Sequence, residues 1–156
     1  MSNTFRALFL APLLAACSVT ASPAVETNAS ALDGPQATAH FRTDAWAPVL
    51  DGAIASGGTL RIDYDAARLP QCRQLNRNEA WDLQVHYRFD GGPIHDAVIA
   101  DPGMSLRVND VIAIPQGARV ITMWFENLAR SGGGEGAKVC QAWDSVFGAN
   151  YSFSID

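Results

Sequence analysis

The sequence predicts an all-β fold, an antiparallel β-sandwich of seven or eight short strands. Three observations carry this expectation. Apolar and polar residues alternate at period two in several short runs, where helical spacing would scatter them. Turns containing Gly and Pro separate those runs at short intervals. No segment shows the i, i+3, i+4 spacing of an amphipathic helix, and no stretch repeats another.

The elements follow in order. Strand character begins at Thr38, and His40 stands near the entry to that first strand with no evident partner. Leu60-Arg61-Ile62-Asp63-Tyr64 alternates cleanly. Residues 65–78 form the one long connection, with room for a helical turn. Trp81-Asp82-Leu83-Gln84-Val85-His86-Tyr87-Arg88-Phe89 is the clearest strand, with one face for the core and the other for water. Asp90-Gly91-Gly92-Pro93 is turn chemistry, and residues 94–99 return as the partner strand. With Gly91-Gly92 as a two-residue turn, residue 88 pairs with residue 95 and residue 86 with residue 97. His86 and His95 then lie diagonally on the solvated polar face, near Asp82 and Arg88. Residues 111–114 make a short strand ended by Pro115-Gln116-Gly117. Residues 119–126 are apolar on both faces apart from Thr122 and the ends, which marks a central strand. Residues 131–136 hold four glycines and read as a loop. Residues 138–142 and 151–155 are the last two strands.

The N-terminus carries a different signal. Arg6 precedes an apolar run over residues 7–16 that is too short to span a bilayer as a stable helix. The run leads into Leu14-Ala15-Ala16-Cys17, which resembles the lipobox of bacterial lipoproteins at all four positions. The resemblance implies a signal peptide over residues 1–16, an acylated Cys17 as the mature N-terminus and, with Ser18 next, an outer-membrane destination. An ordinary secretory cut after Val19-Thr20-Ala21 is the competing reading. Residues 17–36 form the lipidated N-terminus and a tether rich in Ser, Thr, Ala, Asn and Pro. Such a tether spans roughly 25 Å. Residues 37–156 are the single folded domain, long enough to bury a core.

Charge narrows the partners. The formal net charge is −5, Lys138 is the only lysine, and there is no basic run. Nucleic acid, whose phosphates call for clustered Lys and Arg, is excluded as a partner. There is likewise no electrostatic case for anionic head groups, so the membrane is reached through the lipid anchor alone. With Cys17 lipidated, Cys72 and Cys140 remain, an even pair that reads as a disulfide in an oxidising compartment. Closing so long a loop contributes about 4 kcal/mol in the chain-entropy picture. Two buried free thiols are the rival reading; a redox pair is disfavoured because no C-x-x-C spacing is present.

Several stretches together resemble an uncharacterised bacterial family, domain of unknown function 6209. They are Gly58-Thr59-Leu60-Arg61-Ile62-Asp63-Tyr64-Asp65, Arg68-Leu69-Pro70-Gln71-Cys72-Arg73, Ala80-Trp81, Tyr87-Arg88-Phe89-Asp90-Gly91-Gly92-Pro93 and Trp143-Asp144-Ser145-Val146-Phe147-Gly148-Ala149-Asn150-Tyr151. The resemblance runs from about His40 to Ile155. It implies a secreted or envelope β-rich domain and supplies no catalytic residues. A second, local resemblance concerns the last of these stretches. Trp143-Asp144, Gly148 and Asn150-Tyr151 are similar to the Trp-Asp-Asn-Asn-x-Gly-x-Asn-Tyr signature of family 21 starch-binding modules. Ser145 and Val146 replace its two consecutive asparagines. The two resemblances, with the strand pattern, suggest an immunoglobulin- or fibronectin-like sandwich, or a starch-binding-like one.

Candidate chemistry centres on aromatic residues. Pyranose C–H faces stack on aromatic rings, and Asn and Asp side chains bind hydroxyls. Trp46, Trp124, Trp143, Phe147 and Tyr151 are the candidate rings; Trp143 and Phe147 fall in a predicted loop, whereas Trp124 and Tyr151 fall in strands, where core packing is the commoner fate. The resulting ligand-binding set is Trp143, Asp144, Phe147, Asn150 and Tyr151. The alternative is structural: Trp143 packs under the loop, Asp144 accepts backbone amides, and Gly148 takes a conformation only glycine tolerates. No third ligand joins the histidines to make a zinc site. Asp63, Asp65, Asp101 and Asp110 are spaced for neither paired-acid hydrolysis nor calcium, and read as solvated strand and turn residues. There is no Gly-x-Ser-x-Gly elbow, and Gly132-Gly133-Gly134 lacks the Lys-Ser/Thr of a phosphate loop. No cofactor or metal is expected. The expectation is therefore a non-catalytic envelope lipoprotein that binds glycan, with a structural or protein-docking lipoprotein as the alternative.

Overall fold

A computed structural model describes residues 36–73, 81–101, 108–130 and 138–156. The expected signal peptide over residues 1–16, Cys17, the expected tether up to residue 35 and the glycine-rich stretch over residues 131–136 lie outside the described residues. Nine strands occur among the described ones: β1 (Gln36–Phe41), β2 (Val49–Asp51), β3 (Thr59–Tyr64), β4 (Trp81–Phe89), β5 (His95–Ala100), β6 (Val111–Ala113), β7 (Val120–Arg130), β8 (Lys138–Asp144) and β9 (Tyr151–Ser154). They form two sheets, as the sequence predicts for a sandwich. One has the order β2-β1-β3-β6; the other has the order β5-β4-β7-β8, with β9 also on β7. Apart from one 3-10 turn, Ala66–Arg68, in the long connection, no helix is assigned among the described residues.

Alternation decides which face of each strand is buried. In β1, Ala37, Ala39 and Phe41 point into the core, and in β3, Leu60 and Ile62 do the same. Facing them from the other sheet are Val85, Ile121, Met123 and Phe125. Each large apolar side chain buried here contributes about 1.5–3 kcal/mol. Pairing is antiparallel except between β1 and β3, which run parallel with His40 opposite Asp63. That pairing supplies the partner His40 lacks in the sequence: His40 Nδ1 lies 2.7 Å from Asp63 Oδ2, and Arg42 binds the same oxygen. The remaining aspartates at strand ends are also engaged. Asp110 pairs with Arg61 at 2.8 Å, and Asp65 accepts from the Ala67 N–H and the Thr43 hydroxyl. These contacts, Ala67 first, hold the Asp65 carboxyl below its ordinary value.

The β4–β5 hairpin corrects the expected register. Asp90 and Gly91 both have positive φ, at 50° and 74°, and Gly92 N–H donates to Phe89 C=O at 2.8 Å. The turn is therefore Asp90-Gly91, one residue earlier than expected. Positive φ at both central residues suits an Asp-Gly pair in a hairpin turn. Pro93 cannot donate to the ladder, and pairing resumes at Tyr87 opposite His95 and His86 opposite Asp96. A one-residue slip moves every side chain of the returning strand to the other face. His95 therefore stacks on Tyr87, 5.4 Å between centroids, and does not share a face with His86.

The edge of the second sheet positions the site. β8 pairs with β7 as far as Asp144 opposite Phe125, and β9 takes up the same edge from Tyr151 opposite Met123. Residues 145–150 are thus an excursion between two strands in line along β7. The long connection folds over the inner face beside them. Asn127 Nδ2 donates to Leu69 C=O at 3.1 Å and to Gln71 C=O at 2.6 Å. The Cys72–Cys140 disulfide, Cα to Cα 5.4 Å, then ties this connection to β8.

Candidate functional site

A groove of about 720 Å³ opens between the loop after β1, the 65–73 connection, and β8 with its excursion. Trp46, Leu69, Val146 and Phe147 give it an apolar lining, and Arg68, Asp144 and Tyr151 lie at its floor.

The floor is a closed polar network. Arg68 is 4% exposed, and each of its five N–H groups has an acceptor. Nε donates to Asp144 Oδ2 at 3.0 Å. One terminal nitrogen donates to Arg42 C=O at 2.8 Å and Ala45 C=O at 3.1 Å. The other donates to Trp46 C=O at 3.1 Å and to the Tyr151 hydroxyl at 2.8 Å. The Tyr151 and Tyr64 hydroxyls both donate to Asp144, at 2.5 Å and 2.7 Å. Burial, reinforced by the Asp144 carboxylate, pushes the Tyr151 phenol up to about 12 and raises Tyr64 too. Burial alone would weaken the charge on Arg68, but Asp144 beside it keeps the guanidinium above its ordinary value. Both oxygens of Asp144 are committed, so it offers none of the free hydroxyl-binding capacity expected from the sequence.

Above this floor stands Trp46. The Arg68 guanidinium lies over its ring, 4.8 Å from the centroid, while the residue is 64% exposed. One ring face therefore rests on a buried cation and the other meets solvent. Three hydrogen bonds from Arg68 to the loop carbonyls hold the backbone beneath it.

The excursion forms the opposite lip. Val146, Phe147 and Asn150 have φ of 48°, 55° and 62°, and Gly148 has 91°. Positive φ is an outlier for a β-branched residue, so Val146 holds strain of the kind that gathers at functional loops. Gly148 would meet nothing within 4 Å if it carried a Cβ, so its backbone angle, not space, favours glycine there. The loop closes through Asn150 N–H to Ser145 C=O at 2.7 Å and Gly148 N–H to the same oxygen at 3.0 Å. Its effect is to hold Phe147 wholly in solvent.

The five residues predicted together are thus divided. Phe147 is exposed at the lip, whereas Asp144 and Tyr151 are buried in the floor. Asn150 is a backbone turn residue and does not line the groove. Trp143 belongs to β8, not to a loop; it borders the groove, but its ring lies 5.5 Å from that of His86. Arg68, the residue that organises the floor, had no local signal, since its partner Asp144 lies 76 residues away.

His86 also departs from the expected solvated residue, with a side chain only 12% exposed. Its Nδ1 lies 2.5 Å from Asp96 Oδ1 and its Nε2 2.9 Å from Glu126 Oε2. Among the described residues, no group of three or more His, Cys, Asp or Glu side chains is arranged to hold a metal ion.

Neither a curated protein nor a solved structure matches this chain. A family profile does, over residues 8–156, nearly its whole length. A β-sandwich with an aromatic groove over a sealed polar floor is therefore how this member is built: the chain belongs to the family of unknown function DUF6209.

Proposed function

We propose that this protein is a non-catalytic glycan-binding domain, anchored to the outer membrane of the bacterial envelope by lipid on Cys17. The observation that carries the reading is Trp46: one face lies on the Arg68 guanidinium and the other is open to solvent. A ring held in this way is ordered before it meets a ligand, which lowers the entropy lost on stacking. Phe147 faces solvent across the groove and supplies a second apolar surface for a pyranose. The groove floor supports the non-catalytic part. Arg68, Asp144, Tyr64 and Tyr151 are committed to one another, which leaves no acid, base or nucleophile free among them.

Titration calorimetry against malto- and cello-oligosaccharides tests this. Wild-type protein is expected to bind weakly, in the millimolar range, because few hydrogen bonds accompany the stacking. Trp46→Ala is expected to abolish the heat, and Phe147→Ala to reduce it. Equal binding by wild type and Trp46→Ala, or no heat from either, removes the glycan reading. A second reading, docking on an envelope protein, is favoured by the apolar tip of Val146 and Phe147. It becomes the better one if sugars give no heat and Phe147→Ala alone releases a co-purifying envelope protein.

A further inference from the structure

The outward face of the β5-β4-β7-β8 sheet carries a second aromatic surface, across β8 from the groove. His86 and Trp124 are cross-strand partners whose ring centroids lie 5.6 Å apart with planes 20° from parallel. Trp143 pairs in register with Glu126 on β7, yet its ring centroid lies 5.5 Å from that of His86, on the far side of β7. The indole therefore reaches across β7 at the level of Glu126, which is 1% exposed.

The carboxylates around His86 are matched internally, while Arg88 stands on the same face opposite Thr122 with its buried Nε lacking a hydrogen-bond partner among the described residues. Glu126 Oε2 meets His86 Nε2 at 2.9 Å, and Oε1 meets Lys138 Nζ at 3.5 Å and the Gln141 amide. Asp96 meets the other nitrogen of His86. Beside Arg88, what remains outward is ring surface, with Trp143 49% exposed. The Thr122 and Ser152 hydroxyls, 3.2 Å apart, lie on this face too, with the Gln141 amide at β8. A cationic ligand would find these carboxylates occupied and would meet Arg88, while an anionic one would meet Asp96 beside the His86 ring. Rings with neutral donors and acceptors around them match a neutral ligand with apolar C–H faces and hydroxyl edges.

We propose that this face is a second contact surface for a neutral polysaccharide chain, which passes from the groove over β8 onto Trp143 and Trp124. The proposal rests on the glycan reading of the groove. β8 joins the two surfaces: Asp144 is turned to the groove floor, while Gln141 and Trp143 reach residues of the outer face. A short oligosaccharide fills the groove alone, and a longer one adds the outer rings.

The test is calorimetry on the detergent-solubilised protein, in a detergent without a sugar head group, with malto- and cello-oligosaccharides from disaccharide to hexasaccharide. Wild-type affinity is expected to rise about tenfold along the series, the size of one added stacking contact. Trp124→Thr is expected to keep disaccharide binding and lose the rise. Ser152→Arg, which places bulk on the same face from an exposed position, is expected to blunt it without touching the core. Thermal unfolding checks that both variants fold. A wild-type affinity that does not depend on length, or a rise that persists in both variants, overturns the second surface and leaves the groove reading intact. Absence of binding at every length overturns both.

Discussion

Arg68 and Asp144, 76 residues apart in the chain, meet at 3.0 Å in the interior, and this pair joins the groove floor to the Trp46 loop. Removing one partner leaves the other buried and unmatched, a loss of about 3–5 kcal/mol. Urea unfolding of Arg68→Leu and Asp144→Ala is expected to show destabilisation of that size in each. The double variant is expected to lose less than the two singles together, because the second change removes a charge already orphaned. Strictly additive losses would contradict this coupling.

The two tyrosines give the protein an alkaline limit. Burial first, and then the hydrogen bond to Asp144, raise Tyr151 to about 12 from an ordinary 10.0, and Tyr64 is also raised. Each phenol holds its proton more tightly in the folded chain than in the unfolded one. This contribution is present in full below pH 10.0 and fades as pH climbs towards about 12. Stability by urea unfolding, followed in parallel with tyrosinate absorbance, is expected to fall across that window. Tyr151→Phe is expected to be less stable at neutral pH yet to show a shallower fall; an identical slope would count against the assignment.

The Cys72–Cys140 bridge fastens the 65–73 connection to β8. Serine at either position is expected to lower stability by about 2–5 kcal/mol. Protein purified from the periplasm without reductant is expected to present no alkylatable thiol at either residue. Two reactive thiols would show that the bridge does not form in the cell.

The proposed anchorage rests on Cys17. Cys17→Ala is expected to release the protein from the membrane fraction, since stable attachment takes two or more acyl chains. Intact-mass measurement of the mature protein is expected to show an acylated N-terminal cysteine. A mature chain starting at Ser22 would instead establish ordinary secretion.

The strands were more legible in the sequence than the site. β4 runs over Trp81–Phe89, as its alternation predicts, because one buried face imposes period two directly on the chain. The disulfide was legible once Cys17 was set aside as the expected lipidation site, which left an even pair. Register was not: besides the Asp90-Gly91 turn, one extra residue intervenes before His95, so Tyr87 and not Arg88 stands opposite it and His95 takes the other face. The Asp63 partner of His40 was hidden because it depends on β1 and β3 lying parallel, a matter of topology and not of composition. Trp143 was misplaced for a local reason. Its strand continues to Asp144, and the turn begins only at Ser145, but the aromatic and small residues over 143–151 read as one loop. Arg68 is the hardest case, because nothing in Arg68-Leu69-Pro70 distinguishes a buried guanidinium from a solvated one.

Because β8 and β9 lie in line on β7, both ends of the 145–150 excursion are fixed to neighbouring positions of one strand. A loop held in this way is separable from the scaffold. Doubling its length adds only about 0.6 kcal/mol of closure entropy, and no strand pairing changes when its sequence does. Foreign segments grafted between Asp144 and Tyr151 should therefore leave the sandwich folded while reshaping one lip of the groove. On the proposed glycan reading, this makes the excursion an exchangeable cassette, with Arg68 fixing the Trp46 side of the groove and the inserted segment free to diversify the other.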